Sequence, residues 1–461
     1  MTQTVSLICG AITAVAVGIW LGRVFDPPIG WTAGVTVLCA VWWVFEPIPM
    51  AATGLVPFAV FPLVGVLSPV DVADSYGNAM ILLMLGGFML SRGMETTGTH
   101  RRVALSIVRA VGGASGRRVV LGFMLAACLL SMWISNAASS VMLLPVALAV
   151  LESNPDRKLR TSLLLGIAYA ASIGGIGTPI GTPPNLVFFA VFEKNFDSTP
   201  SFSQWMLWAA PVVATMIPTA AWLLTRHLDR TRTVVVPEVG NWRAAEVRML
   251  SVFAVAATLW VTRSQPFGGW SSLSIFSSGS GASKDATVAL LAAVAMFIVP
   301  TGEGGRKLLN WEQAAKIPWS ILIMFGGGIA IAKGFQQSGL SQLIGNQLAE
   351  IGQLPTILAI ALICLGVTFL TEITSNTATA SLLLPILAAT AQAANLDPKL
   401  IMIPATFSVS FAFMLPVATA PNAIVYGSDR LHVTDMVREG VKLNLVGVVV
   451  VTTVCYLLFR W

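Results

Sequence analysis

Long apolar runs recur from one end of the chain to the other, separated by short polar stretches. Most exceed the length of a strand or helix in a soluble core, so each reads as a membrane-crossing helix. The pattern predicts spans at roughly 4–24, 31–47, 50–67, 77–97, 161–192, 204–226, 249–262, 285–300, 318–336, 400–427 and 441–459. The first run, "VSLICGAITAVAVGIWLG", has no basic segment before it and Arg23 directly after it. It reads as a retained span and not as a cleaved signal peptide. Two further apolar regions do not fit as spans, because a polar Ser-Asn pair divides each into two short arms.

Those two regions resemble each other. "SNAASSVMLLP" at 135–145 returns as "SNTATASLLLP" at 375–385. Upstream, "ILLMLGGFML" at 81–90 matches "ILIMFGGGIA" at 321–330, and Arg92-Gly93 falls near Lys333-Gly334. Downstream, "GTPPNLVFFA" at 181–190 matches "ATAPNAIVYG" at 418–427. Three blocks recurring in order at nearly constant offset indicate two structural repeats, a common construction of secondary transporters. "HRRVALSIVRAVGG" at 100–113 and "SQLIGNQLAEIG" at 341–352 read as amphipathic helices along the membrane faces, one per repeat.

Charge gives the repeats a direction. Arg101, Arg102, Arg109, Arg117 and Arg118 precede the first Ser-Asn block, and Arg157, Lys158 and Arg160 follow it. Both flanks are therefore expected on the cytoplasmic side. The first arm, "VVLGFMLAACLLSMWI", has 16 residues, short of the ~20 needed to cross. A re-entrant hairpin follows, with Ser135-Asn136 at its tip. The second block has no lysine or arginine over 337–356 and only Lys399 over 392–400, so its hairpin, tipped by Ser375-Asn376, is expected to open outside.

The fold predicted is an all-α polytopic membrane protein of about eleven transmembrane helices plus two opposed re-entrant hairpins, related as an inverted-topology repeat. Its parts are 1–76, N-terminal scaffold helices; 77–226, a first repeat with hairpin 119–152; 227–317, a cytoplasmic loop and scaffold helices; and 318–461, a second repeat with hairpin 355–392. Loops 226–248, 301–317 and 428–440 fall in the cytoplasm with the N-terminus, while 193–203, 264–284 and the C-terminus fall outside.

Composition agrees: 56% of the 461 residues are hydrophobic and 10% charged, where soluble domains carry about a quarter charged residues. A net charge of +6 is the usual excess of cytoplasmic lysine and arginine, not a nucleic-acid signal. Cys9, Cys39, Cys128, Cys364 and Cys455 sit in apolar runs without partners and read as buried small hydrophobes. His100, His227 and His432 read as lying in polar, basic loops and are not spaced as metal ligands.

The Ser-Asn tips carry the chemistry. Irregular backbone at membrane depth is tolerated only inside protein or along a cavity. Tip carbonyls and hydroxyls suit a hard cation such as sodium. The helix N-termini after Asn136 and Asn376 suit an anion. "GGIGTPIGTPPN" at 174–185 and "LPVATAPN" at 415–422 interrupt apolar helices, with Pro183, Pro184 and Pro421 removing backbone bonds. The freed carbonyls need partners, and a cation is one. The glycine pairs at 86–87 and 326–327 read as close helix packing. Glu372, three residues before the second tip, either supports a cation site or accepts hydrogen bonds from the tip. Arg92 and Lys333 read as helix-end side chains reaching toward the interface.

"TEITSNTATASLLLP", "LPVATAPNAIVYG", "MWISNAASSVMLLP" and "GTPPN" together resemble the divalent anion:sodium symporter family, the INDY-type dicarboxylate transporters, over essentially the whole chain. The resemblance implies a homodimer in the bacterial plasma membrane whose transport domain moves as an elevator, carrying a C4-dicarboxylate with several sodium ions. It implies one sodium site at Ser131, Ser135, Asn136 and Gly181, and a second at Thr371, Thr374, Asn376 and Ala418. Substrate would meet Ser135, Asn136, Thr182 and Pro183 on one side, and Ser375, Asn376, Thr377, Thr419 and Ala420 on the other. Two positions depart from the family pattern. Ala137 lacks the expected threonine hydroxyl, and Ala420 replaces a proline, which predicts a softer second break.

The function expected is sodium-coupled import of succinate, malate or fumarate, with sodium as the only cofactor-like partner. The alternative is a sodium-independent exchanger of dicarboxylate or another divalent anion such as citrate or sulfate. Metal-hydrolase, aspartyl and serine-hydrolase motifs are absent from the sequence, so no enzyme is expected. A channel would not require two hairpins closing on each other.

Overall fold

The computed structural model describes residues 3–111, 115–152, 156–196, 198–228, 240–264, 268–273, 275, 280–302, 304–348 and 354–460. The middle of the expected loop 226–248, parts of 193–203, 264–284 and 301–317, and the end of the expected helix 341–352 lie outside the described residues. Among the described residues every regular element is a helix, and one isolated bridge joins Pro300 to Lys307.

The chain runs α1 (Gln3–Val24), α2 (Pro27–Phe45), α3 (Met50–Gly54), α4 (Val56–Leu63), α5 (Pro69–Tyr76), α6 (Ala79–Thr97), α7 (Thr99–Val111), α8 (Gly116–Ser131), α9 (Asn136–Glu152), α10 (Arg157–Gly175) and α11 (Pro183–Phe196). It continues through α12 (Phe202–Thr225), α13 (Ala244–Val261), α14 (Gly281–Ile298), α15 (Trp311–Ala314), α16 (Trp319–Ser338), α17 (Leu340–Leu348), α18 (Thr356–Thr371), α19 (Asn376–Ala393), α20 (Lys399–Val409), α21 (Ala420–Tyr426) and α22 (Val433–Phe459). Among the described residues, seven helices are long and apolar enough to cross a membrane; Met50–Leu63, Asn136–Glu152, Thr356–Thr371 and Lys399–Val409 are shorter apolar segments.

Several expected spans are not single helices. The run 50–67 divides into α3 and α4 at Leu55, with Pro57 entering the first turn of α4, where a missing N–H costs nothing. The runs 161–192 and 400–427 break at 176–182 and 410–419. In the other direction, α22 begins at Val433, inside the expected loop 428–440. Its first turns are polar and carry a Lys442–Glu439 pair at 2.8 Å, one helical turn apart.

The repetition seen in the sequence is also local structure. α6 and α16 each end at a left-handed glycine, Gly98 (φ 76°) and Gly339 (φ 83°), and each hands over to a short helix, α7 and α17. A left-handed cap favours glycine because it lacks Cβ. Next come two apolar arms joined by four residues: α8 and α9 around 132–135, α18 and α19 around 372–375. A proline then sits in each second arm, Pro145 and Pro385.

Packing exchanges the halves. α10 packs on α8 and α9, and α20 on α18 and α19. Beyond each break the partner changes: α11 packs on α19, and α21 on α9. The two hairpins are thereby locked to each other through the broken helices. Around them, α16 gathers α2, α3, α4 and α5, while α6 packs on α13 and α14. The paired glycines set these close approaches. Gly86 lies against Ala289, Gly326 against the Tyr76 ring, and Gly327 against the Gly54 carbonyl.

Lys333 differs from expectation. It is buried and ion-paired with Asp71, and does not reach toward an interface. A lysine at this depth requires a counter-charge, and Asp71 also completes the capping box of α5 with Ser68. Arg92 pairs with Glu95 one turn on, at 2.7 Å. Cys9 is exposed, while the other four cysteines are buried. His100 lies on α7, with Nδ1 2.8 Å from the Met94 carbonyl.

Candidate functional site

Both tips and both breaks border one cavity of about 440 Å³. Ser135, Asn136, Thr182, Pro183, Ser375, Asn376, Thr377, Thr419 and Ala420 all line it, as do Gly181 and Ala418. Ser131 and Thr371 are fully buried just behind the tips, and Thr374 is nearly so. The remaining wall comes from Glu46 and Met50, from Met84, Gly87, Phe88 and Ser91 of α6, and from Pro318 and Ile321 near the start of α16.

The tips are built alike. Ser131 Oγ donates to Asn136 Oδ1 in the first, and Thr371 Oγ1 donates to Asn376 Oδ1 at 2.7 Å in the second. A hydroxyl one residue before the four-residue link thus orients the asparagine directly after it. α9 and α19 begin at these asparagines, and α11 begins at Pro183 on the same cavity. The N-termini of α9 and α19 therefore present N–H groups and positive dipole ends to one space, and α11 adds its dipole end, its first two residues being prolines without an N–H. Among the described residues no lysine or arginine lines it, so an anion there would be met by neutral donors.

The breaks are built alike as well. Asn185 Nδ2 donates to the carbonyls of Gly175 (3.0 Å) and Thr178 (2.7 Å). Asn422 Nδ2 donates to those of Ala412 (3.1 Å) and Leu415 (3.0 Å). Each asparagine reaches back ten and seven residues and satisfies two carbonyls that the missing helix bonds release. Both are fully buried. The signal available in the sequence was an asparagine closing each Pro-containing motif, at 185 and at 422.

The first break also offers a cation cradle. A Cβ on Gly181 would stand 2.5 Å from the Gly175 carbonyl oxygen and 3.0 Å from those of Met132 and Ser131. The same modification of Gly175 would meet Asn136 Oδ1 at 2.6 Å. Backbone carbonyl oxygens gathered around Gly181, with the Asn136 amide oxygen close by at Gly175, are the kind of oxygen donors that suit a hard cation. Among the described residues no cluster of three His, Cys, Asp or Glu side chains exists, so nothing comparable is built for a transition metal.

Glu372 serves the break and not the tip. Its Oε1 accepts from the backbone N–H of Phe413 (2.7 Å) and Met414 (2.9 Å) and from Asn444 Nδ2 (2.7 Å). Its Oε2 accepts from Leu415 N–H at 3.1 Å. Four donors satisfy a buried carboxylate and hold the second break open. The softer break expected from Ala420 is not found. α21 starts at Ala420 in the register in which α11 starts at Pro183, and the second break is the longer of the two. The first repeat has Met132 at the corresponding place, and there Thr178 Oγ1 donates to the Met132 carbonyl.

The repeats differ at the tips too. Ser135 Oγ accepts from Ala138 N–H at 3.2 Å, whereas the Ser375 side chain makes no capping bond. Thr374 Oγ1 lies 2.6 Å from Thr379 Oγ1, while Ile134 occupies the equivalent place in the first tip. Trp133, absent from the sequence reading, also lines the cavity. It stacks on Phe202 and Trp260 and meets Phe253 edge-on, with ring centroids 5.9, 6.4 and 5.0 Å away.

The sequence model of the family described as "Sodium:sulfate symporter transmembrane region" matches residues 7–461. A protein of Staphylococcus saprophyticus named sodium-dependent dicarboxylate transporter SdcS is 38% identical over 450 residues, covering 92% of this chain and 85% of its own. A protein of the same name from Staphylococcus aureus is 37% identical over 447 residues, covering 92% and 84%. Among solved structures, the Neisseria gonorrhoeae MtrF efflux pump superposes with a TM-score of 0.63 at 12% identity, covering 96% of this chain and 97% of that one. The Alcanivorax borkumensis YdaH transporter gives 0.58 at 16% identity, covering 87% and 88%. At such identities the two structures share only the fold with this chain.

Proposed function

The chain belongs to the sodium:sulfate symporter family, the divalent anion:sodium symporters, and on that premise we propose that it is a secondary active transporter moving a C4-dicarboxylate together with sodium. It is an integral membrane protein of a transporter family, not an enzyme. The observation that carries the reading is the single cavity on which Asn136, Asn376 and the N-termini of α9, α11 and α19 converge.

One carboxylate of the substrate meets Ser135, Asn136 and Thr182, against the Pro183 ring. The other meets Ser375, Asn376, Thr377, Thr419 and the backbone at Ala420. One sodium takes the cradle of Ser131, Ser135, Asn136 and Gly181, and a second takes Thr371, Thr374, Asn376 and Ala418. Two cations beside a dianion cancel its formal charge, which lowers the cost of carrying it through low dielectric. Substrate affinity is thereby tied to sodium without any fixed cationic side chain.

The hairpins and broken helices move as one body against α2–α6, α13, α14 and α16, an elevator in which the cavity travels with the tips. The protein works as a homodimer in a bacterial plasma membrane, N-terminus cytoplasmic and C-terminus outside, the two repeats inverted relative to each other. What supports the orientation is the arginine and lysine content around the first hairpin.

The test is uptake of labelled succinate into proteoliposomes. We expect saturable uptake that needs an inward sodium gradient and is competed by malate and fumarate. Uptake that ignores sodium and needs counter-substrate inside would replace symport by exchange. Competition by sulfate alone would change the substrate class.

A further inference from the structure

Among the described residues, Glu46 is the one ionisable side chain that lines the central cavity, and it is an acid. In a cavity read as an anion site, a carboxylate contributes no attraction. No hydrogen bond or ion pair joins the Glu46 side chain to another described residue, and the residue is exposed to the cavity. It is therefore not a counter-ion of the fold, unlike Asp71 with Lys333 or Glu372 with its four donors.

Its backbone makes the choice of residue costly. Glu46 closes α2 in a left-handed conformation, φ 45° and ψ 48°, its N–H donating to the Trp42 carbonyl. Glycine or asparagine takes this region more cheaply than glutamate. Pro47 and Pro49 follow and restrict the segment between α2 and α3. A rigid link thus holds an acid at the cavity where a neutral residue would be easier to place. Strained positions of this kind cluster at working sites.

We propose that Glu46 is a charge filter: it sets the number of negative charges the cavity accepts and favours a dicarboxylate over a tricarboxylate of similar skeleton. The proposal rests on the transport reading above and adds the substrate's charge state to it. The physical basis is additive. Sodium ions and helix N-termini attract every anion, while Glu46 repels each of the anion's charges in turn. A third carboxylate adds one more repulsion with Glu46 and has no further sodium to meet. A dicarboxylate arriving without sodium faces the same unfavourable wall.

The experiment compares two competitors of labelled succinate uptake, unlabelled succinate and tricarballylate, which is succinate extended by one carboxymethyl group. At pH 8 tricarballylate is a trianion. The readout is the ratio of the two half-inhibitory concentrations. Size differences enter this ratio equally for every variant, so a purely structural role of Glu46 leaves it unchanged. Glu46→Gln should lower the tricarballylate-to-succinate ratio by about threefold or more, the size of one charge–charge contact across a wet cavity. Glu46→Asn, suited to the left-handed backbone, should do the same if the longer amide disturbs folding. Glu46→Asp should keep the wild-type ratio. An unchanged ratio in both neutral variants, with succinate transport intact, overturns the filter and leaves the transport reading standing. Absence of saturable succinate uptake in the wild type overturns the transport reading first.

Discussion

Asn136 and Asn376 do two jobs with one amide each. Their side-chain oxygens are held by Ser131 and Thr371, and their positions open α9 and α19. On the proposed transport reading, removing either amide would take away a cation ligand and a donor at the substrate end together. Asn136→Ala and Asn376→Ala should each reduce succinate uptake to background while the protein still elutes as a folded species in detergent; near-normal uptake in either would sink the site assignment. Gly181 allows a sharper test of the first cradle. Its α-carbon has no room for a methyl group, because the carbonyls of Gly175, Met132 and Ser131 already occupy that direction. Gly181→Ala should raise the sodium concentration for half-maximal uptake by about tenfold, roughly the 1.4 kcal/mol of one weakened coordinating contact. The second repeat carries alanine at the matching position, Ala418. An unchanged sodium dependence in Gly181→Ala would move the first cation elsewhere.

At the scale of elements, the breaks matter more than the helices. Their existence was legible, because prolines at 183, 184 and 421 cannot continue a helix and the repeat showed the interruption twice. The hairpins were legible for a similar reason: a polar pair between two arms too short to cross. What held the breaks open was not legible. A lone glutamate at 372 does not announce that its partners lie forty residues on, at Phe413, Met414 and Leu415. Nor could Lys333 declare Asp71, because the pair spans 262 positions. Periodicity reports which residues are apolar, not which buried charges have met. It also ran short helices together at 50–67, where every residue but Thr53 is apolar or glycine or proline and only the turn at Leu55 separates α3 from α4. The Glu372 cluster predicts a stability effect. Glu372→Gln keeps the size but removes the charge from four bonds and puts a donor among donors. With charge-assisted bonds at ~1.5–3 kcal/mol each, a net loss of about 3 kcal/mol is expected, read as a lower melting temperature in detergent. A melting temperature equal to wild type would mean the carboxylate is not what holds the second break.

The whole molecule divides by what packs on what. The hairpins and broken helices interlock through the α9–α21 and α11–α19 contacts, which tie the two tips to each other. The helices around α16 and the α6–α13–α14 group form the other wall of the cavity. Trp133 is one place where the two sets touch, its ring stacked on Trp260 and edge-on to Phe253, both from α13. An elevator must slide this tip past α13, whereas a rocking gate could open with the contact kept. In a background with the exposed Cys9 replaced by serine, a Trp133→Cys, Phe253→Cys pair can be bridged by mercuric ion. The unbridged double variant must first transport, so that loss of the tryptophan is not itself the defect. Bridging should then stop uptake by at least about tenfold, and removing the mercury with excess thiol should restore it. Full uptake with the bridge in place would show that the first tip and α13 travel together, and the moving body would have to be redrawn to include α13.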